Sequence, residues 1–462
     1  MRQLQILLFL SIITLCQSAV ANVSLPAIFT DNMVLQRDTE VRIWGWAKPL
    51  EKVAVQASWS KDILRTVADK FARWEVMLPT PGAGGPFEIT VQGYNQITLR
   101  NVLVGEVWLC SGQSNMEFTA RQGILGGEEA MKNADQPNIR FFTVHHRSAN
   151  EAQIDLASDG WKVCSPETMA GFSAAAYFFA KKLQEKMGVP VGLIHSGWGG
   201  TPAEAWVAGR IIEADPLLSE AANLLPDEPW GPQQAGSIYH AMIAPLTPFK
   251  IAGTIWYQGE TNVNNPLTYK ELFSTLIKSW RTAWGYEFPF YFAQIAPFKY
   301  GVPGVGALVR DAQRRTLEAP NTGMVVTSDI GDTLDIHPKN KLDLGLRFAN
   351  LALKYHYHVL DGEVSGPLYR SFEVEKDRVK IFFDHASGLK ASGGDCPFFE
   401  VAGEDGIFYP AKAEIGDGLV MVFAKQVKKP KAVRFAWRNT ATPNLFNGAG
   451  LPTSCFWEEK QP

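Results

Sequence analysis

"GEVWLCSGQSNMEFTA", residues 105–120, decides how the middle of this chain is read. Val107, Trp108, Leu109 and Cys110 make an uninterrupted apolar run, the pattern of a strand covered on both faces. The run stops at Ser111-Gly112-Gln113-Ser114-Asn115-Met116, and a helix-like stretch near 115–122 follows. A tight turn needs small polar residues and a glycine for its own sake. A functional reading of the cluster therefore needs support from elsewhere in the chain.

The segments beyond it keep the same alternation of strand and helix. "IRFFTV" (139–144) precedes "SAAAYFFAKKLQEKMG", whose Ala175, Phe178, Phe179, Leu183 and Met187 form one helical stripe, with Ser173 as N-cap and Gly188 as stop. "VPVGLIHS" (189–196) and "IAGTIWYQ" (251–258) read as strands. "TPAEAW" starts a short helix, and "YKELFSTLIKSWRTAWG" is a helix ended by Gly285. "FPFYFAQI", "VGALVRDAQRRTLEA", "TGMVVTSD" and "PKNKLDLGLRFANLALKYHY" carry the pattern to about 357. Apolar strands alternating with helices predict an α/β fold, a parallel sheet with helices on both faces. Residues 210–250 break the rhythm and are expected to wander over the surface.

Before this region, short alternating strands over 22–100 ("EKVAVQASW", "RWEVMLP", "PFEITVQG", "NQITLRN") predict a small antiparallel β-sandwich domain. After it, "RVKIFFDH", "FFEVAG", "LVMVFA" and "AVRFAWRN" predict a second β domain over 359–462. The α/β domain thus spans 101–358. Residues 1–21 have the form of a signal peptide, with Arg2, an apolar stretch at Ile6–Leu15 and a cleavage site at Ala19-Val20-Ala21. That stretch is shorter than the ~20 residues a spanning helix needs. A secreted or periplasmic protein with no membrane span is the expectation.

With 462 residues, 46% hydrophobic, 20% charged and a net charge of −3, the chain has the composition of a soluble multi-domain protein with no basic footprint for nucleic acid. No C-x-x-C or H-E-x-x-H spacing is present, so no metal site is expected. Cys396 and Cys455 are a possible disulfide pair in an exported protein. Cys110 reads as a buried small residue.

Ligands of open α/β sheets sit beyond the carboxyl ends of the strands. Four predicted strand ends deliver, in turn, Gly112-Gln113-Ser114-Asn115, then Gly197-Trp198-Gly199-Gly200-Thr201, then Gln258-Gly259-Glu260-Thr261-Asn262, and lastly Asp329 with 331–338, which includes Asp335 and His337. A serine, a glycine pair, an amide with a carboxylate, and an Asp/His pair at one edge suit acyl transfer. A serine hydroxyl becomes nucleophilic when an imidazole takes its proton. An acid beside the imidazole would orient it. Ser114 is the candidate nucleophile and His337 the candidate base. The Ser114 amide, a Gly199 or Gly200 amide and the Gln258 side chain are the candidate oxyanion donors.

"GQSNM", "GWGGTPAEAW", "MIAPLTPFKIAGTIWYQGETN" and "DIHPKNK…GLRFA" together resemble the sialate O-acetylesterase family of SGNH-type serine hydrolases, across most of 22–357. The resemblance implies a three-layer α/β hydrolase core, no cofactor, and removal of O-acetyl groups from a sugar, sialic acid first. It also implies Ser114 and His337 as the catalytic pair. General SGNH enzymes carry an aspartate three residues before the histidine, where this chain has Leu334. Asp335, Glu260 or a backbone carbonyl remain as the third member. Trp198 is a candidate platform for a sugar ring, and Arg310 a candidate partner for a substrate carboxylate. His195, His145, His146 and His240 read as structural. Competing readings are an esterase acting on acetylxylan or another plant polysaccharide, a non-catalytic carbohydrate-binding protein, and a long-chain lipase. The oligomeric state is not legible.

Overall fold

A computed structural model describes residues 22–460; the expected signal peptide, 1–21, lies outside them. Seven strands form the central path, in the order Thr322–Val325, Phe290–Ala293, Gly253–Tyr257, Gln96–Gly112, Val191–Gly197, Gln136–Thr143, Trp161–Cys164. Neighbours along it pair in parallel, except that Trp161–Cys164 runs antiparallel at the edge. The result is a mixed α/β architecture with a parallel central sheet and further β sheets around it.

The apolar run that opened the sequence reading sits in the middle of this sheet. Val107, Trp108, Leu109 and Cys110 are all fully buried, and an aliphatic side chain so placed contributes about 2 kcal/mol of transfer free energy. Parallel pairing brings the ends of three strands level, with Gly197 and Tyr257 both opposite Gly112. That register sets the three following loops side by side.

The expected helices form. Ala174–Met187 is capped by Ser173, which accepts from the Ala176 amide, and ends at a left-handed Gly188. Tyr269–Trp284 ends at a left-handed Gly285. Lys341–Leu351 packs against Ala174–Met187 and reaches the strands at 290–293 and 322–325.

Three expectations change. Residues 96–112 form one unbroken strand, not two: its first half pairs antiparallel with Gly84–Gln92 and its second half with the parallel sheet. A single apolar core correspondingly runs from Val23 to Val364. The stretch after Ser114 is a one-turn helix, Ser114–Glu117, followed by a 3-10 turn at Ala120–Gln122. The 210–250 excursion contains the helices Gly209–Ala214 and Pro216–Asn223, and its second half buries Ile238, Met242, Ile243, Leu246 and Phe249. Burial of those apolar groups holds it against the core.

The C-terminal strands build sheets of their own (368–375, 378–384, 419–423 and 412–415; 408–410, 399–402, 432–435 and 456–459) around a second apolar core. Cys396 and Cys455 lie buried in it as free thiols. No helix among the described residues is long and apolar enough to cross a membrane.

Candidate active site

Gly112 closes the central strand at φ +135°, and a Cβ there would lie 2.1 Å from the Tyr257 carbonyl oxygen. Only glycine allows the two strand ends to meet so closely. The Gln113 amide then donates to that same carbonyl at 2.9 Å, and Gln113 Oε1 accepts from the Gly259 and Thr261 amides at 3.2 and 3.4 Å. The loop carrying Ser114 is thereby tied to the loop carrying Glu260.

Ser114 and His337, 223 positions apart, meet here: His337 Nε2 lies 2.9 Å from Ser114 Oγ. The imidazole stacks on Phe118, with centroids 5.4 Å apart and planes 22° from parallel. Asp335 Oδ1 accepts from the His337 backbone amide at 2.9 Å and stands 3.9 Å from Nδ1. Burial and the Lys341 charge hold His337 below the ordinary imidazole pKa, against the opposing pull of Asp335. Glu260, the other candidate, turns instead to Asn115, whose Nδ2 donates to its Oε1 at 2.6 Å.

A cleft of about 530 Å³ opens over the pair, lined among others by Gln113, Glu117, His146, Trp198, Gly199, Gly200, Trp230 and Glu260. Gly200 sits at φ +72°, and a Cβ there would fall 2.0 Å from the Trp230 ring, so a side chain would push Trp230 off the rim. A larger cleft of about 610 Å³, lined by Arg210, Glu213, Tyr239 and His240, contains neither Ser114 nor His337. The Ser114–His337 pair lies in the smaller of these two clefts.

A family model of carbohydrate esterases, described as sialic acid-specific acetylesterase, matches residues 104–354. The chain belongs to this family. This esterase is 29% identical to the human sialate O-acetylesterase over 410 residues, covering 80% of this chain and 78% of the relative. It is 28% identical to the mouse sialate O-acetylesterase over 440 residues, covering 81% of each. The crystal structure of a carbohydrate acetylesterase from Xanthomonas citri superposes with a TM-score of 0.86 at 35% identity, over 95% of this chain and 100% of that one.

Two expected site residues are not brought to the cleft of this esterase. Gln258 is fully buried, and its amide donates to the Thr201 carbonyl at 3.2 Å and to Asn262 Oδ1 at 2.6 Å. Both amide hydrogens are spent, which corrects its expected role as an oxyanion donor. Arg310 is 2% exposed and donates to the Arg438 carbonyl; it ties the helix Val305–Arg315 to the C-terminal region and does not line the cleft. The expected contact between Arg310 and substrate is corrected accordingly. The Gly199 amide, a third candidate, donates to Glu117 Oε2 at 2.9 Å.

Glu117, Trp230 and Lys341 carry no signal in the sequence and His146 reads there as structural, yet Glu117, His146 and Trp230 line the cleft. His146 Nε2 pairs with Glu117 Oε1 at 2.8 Å, and its ring stacks on Trp198 at 4.4 Å and 4°. Burial alone would raise the Glu117 carboxyl, but the hydrogen bond and charges of its histidine neighbours and the Gly199 amide hold it below its ordinary value. The Glu117 hydrogen bond raises His146 in turn. Glu117 was findable, because it lies one helical turn from Ser114 and faces the same way. Nothing local to His146 announces its position. His195 is buried at the strand end, its Nε2 without a partner among the described residues, and burial lowers it to about 4; it is a neutral core residue. No group of three or more His, Cys, Asp or Glu side chains placed to hold a metal occurs among the described residues.

Proposed function

We propose that this esterase removes O-acetyl groups from carbohydrates with Ser114 as nucleophile and His337 as general base. The observation that carries the reading is the 2.9 Å separation of Ser114 Oγ and His337 Nε2 at the floor of an open cleft. Ser114 Oγ attacks the acetyl carbonyl while His337 Nε2 takes its proton. The bond to the sugar oxygen breaks, and His337 returns the proton to that oxygen. Water then attacks the acetyl-serine with His337 again as base, releasing acetate. The scheme consumes only water.

Asp335 is the carboxylate that steadies His337, since it holds the histidine's own amide and lies nearest Nδ1. The oxyanion rests on the Ser114 and Gly200 backbone amides, because the Gly199 amide is engaged by Glu117. Trp198 and Trp230 form the sugar side of the cleft. The strand order supports a three-layer SGNH-type hydrolase unit over 101–358 with β regions before and after it. The 1–21 segment supports export.

Sialic acid is the substrate named for the family and for its mammalian relatives. A second reading, a neutral acetylated sugar such as acetylxylan, draws on the lining itself. Among the described residues there, the titratable groups are Glu117, Glu260 and the histidines, with no Lys or Arg to meet a substrate carboxylate. Acetate release from 9-O-acetyl sialic acid and from acetylxylan, measured side by side, decides between them. Release from neither, with small acetyl esters also untouched, would refute the activity itself.

A further inference from the structure

We propose that Asn115, Glu260 and Lys341 form a buried clamp that positions His337 against Ser114. The proposal rests on the reading of Ser114 and His337 as the reacting pair. Asn115 is the hub, fully buried, with both amide hydrogens and one acceptor position of its oxygen used across three segments. Its Nδ2 donates to Glu260 Oε1 at 2.6 Å and to the Ile336 carbonyl at 2.9 Å, and its Oδ1 accepts from Lys341 Nζ at 2.6 Å. The Ile336 carbonyl belongs to the peptide that leads into His337, and the amide of that same peptide donates to Asp335. The histidine backbone is therefore gripped on both sides, from the serine loop by Asn115 and from its own loop by Asp335.

Lys341 would not stand where it does for stability. It is 1% exposed and is the first residue of the helix Lys341–Leu351. A cation at that end opposes the helix dipole, and burying an ammonium group costs several kcal/mol in general before any partner compensates. It also lies over the Phe118 and Tyr257 rings, 5.2 and 5.6 Å from their centroids. Burial lowers Lys341 to about 7 against the pull of Glu260 and Asp335. Burial likewise raises Glu260 to about 7, against its own backbone amide, Asn115 and Lys341. The second oxygen of Glu260 has no hydrogen-bond partner among the described residues. A costly, incompletely satisfied polar cluster directly behind a reacting pair is the pattern of a functional site rather than of packing.

Lys341 acts on His337 electrostatically as well as through Asn115. The charged and titratable groups facing the imidazole are Asp335 from its own loop, Lys341 from the helix behind, and Glu260, Glu117 and His146 around the cleft. Of these, Lys341 pushes the histidine down and Asp335 pushes it up.

The test is steady-state hydrolysis of p-nitrophenyl acetate from pH 4 to 9 by the full chain and by Lys341→Met, Asn115→Ala, the double variant and Ser114→Ala, with a thermal unfolding curve for each. A clamp predicts that kcat falls about 10–100-fold in either single variant, as expected for a misplacement of about 1 Å, while KM stays within about threefold. The double variant falls no further than the worse single one, because the residues act as a unit. Lys341→Met also moves the acidic limb to higher pH, since the cation that depressed His337 is gone. Unchanged kcat and an unmoved limb in a folded Lys341→Met overturn the clamp. If that variant fails to fold, Glu260→Ala and Glu260→Gln replace it: the glutamine, which still accepts from Asn115, must recover at least part of the kcat lost by the alanine, and no recovery overturns the clamp. Activity retained by Ser114→Ala would instead overturn the underlying reading.

Discussion

The two sides of the cleft are built on different terms. On the acetyl side, Ser114 stands on a turn whose neighbours Gln113 and Asn115 are 3% and 0% exposed and tied to two other loops. On the sugar side, Trp230 is 59% exposed, and Trp198, His146 and Glu117 are only partly covered. Polar groups in a water-poor setting hold fixed geometry, because each lost partner there costs about 1–3 kcal/mol. Groups at an open rim contribute area and stacking and can adapt. On the proposed reading, chemistry common to all acetyl esters sits on the rigid side, and selection among sugars on the adaptable one.

Several substitutions would break or sharpen that contrast, beginning with the largest effect. Ser114→Ala and His337→Ala should each cut acetate release by about 10³-fold or more, measured on small acetyl esters so that sugar binding plays no part. Loss confined to polysaccharide substrates would place the chemistry elsewhere. Lys341→Met, on the rigid side, should lower kcat about 10–100-fold with KM little changed.

The pH profile reads the same side. His337 must be neutral to accept the serine proton, and its folded pKa lies below the ordinary value of about 6.5. Activity in kcat/KM should hold steady through neutrality and fall only when acidification passes below that value. A limb centred above pH 7 would mean that the imidazole is not depressed and that burial and Lys341 have been misjudged.

Trp198→Ala, on the rim, should do the reverse of Lys341→Met. Loss of a stacking face is expected to raise KM for an acetylated glycan about tenfold while leaving kcat on p-nitrophenyl acetate nearly intact. An equal loss on both substrates would erase the distinction between the two sides. Smallest of all, Arg310→Lys should leave KM unchanged for charged and neutral sugars alike, because Arg310 faces Arg438 and not the cleft. A selective rise in KM for acetylated sialic acid would return it to the site.

What the sequence revealed and what it hid follow the same division. Strand ends are legible from apolar runs that stop at glycine, so Ser114, Gly199, Gly200 and His337 were placed at one edge by topology alone. Helix limits at Ser173, Gly188 and Gly285 were legible because caps are local chemistry. Partners set by side-chain direction away from the strand-end motifs were not. His146 sits beyond a strand end with no motif around it, yet stacks on Trp198. Nothing in the sequence around Lys341 marks it as buried, yet it is 1% exposed at the start of its helix. Gln258 was placed correctly at its strand end, but side-chain direction was invisible, and Thr201 and Asn262 claim its amide. The strand break expected between "NQITLRN" and "VGEVWLC" is absent because one strand, Gln96–Gly112, serves two sheets, a feature that alternation patterns cannot distinguish from two consecutive strands.

Covalent capture tests the central claim most directly. Incubating the full chain with a fluorophosphonate and mapping the adduct by peptide mass spectrometry should give a single modification on Ser114, absent from Ser114→Ala and slowed in His337→Ala. Labelling of another residue, or no labelling while acetate is still released, would contradict the account.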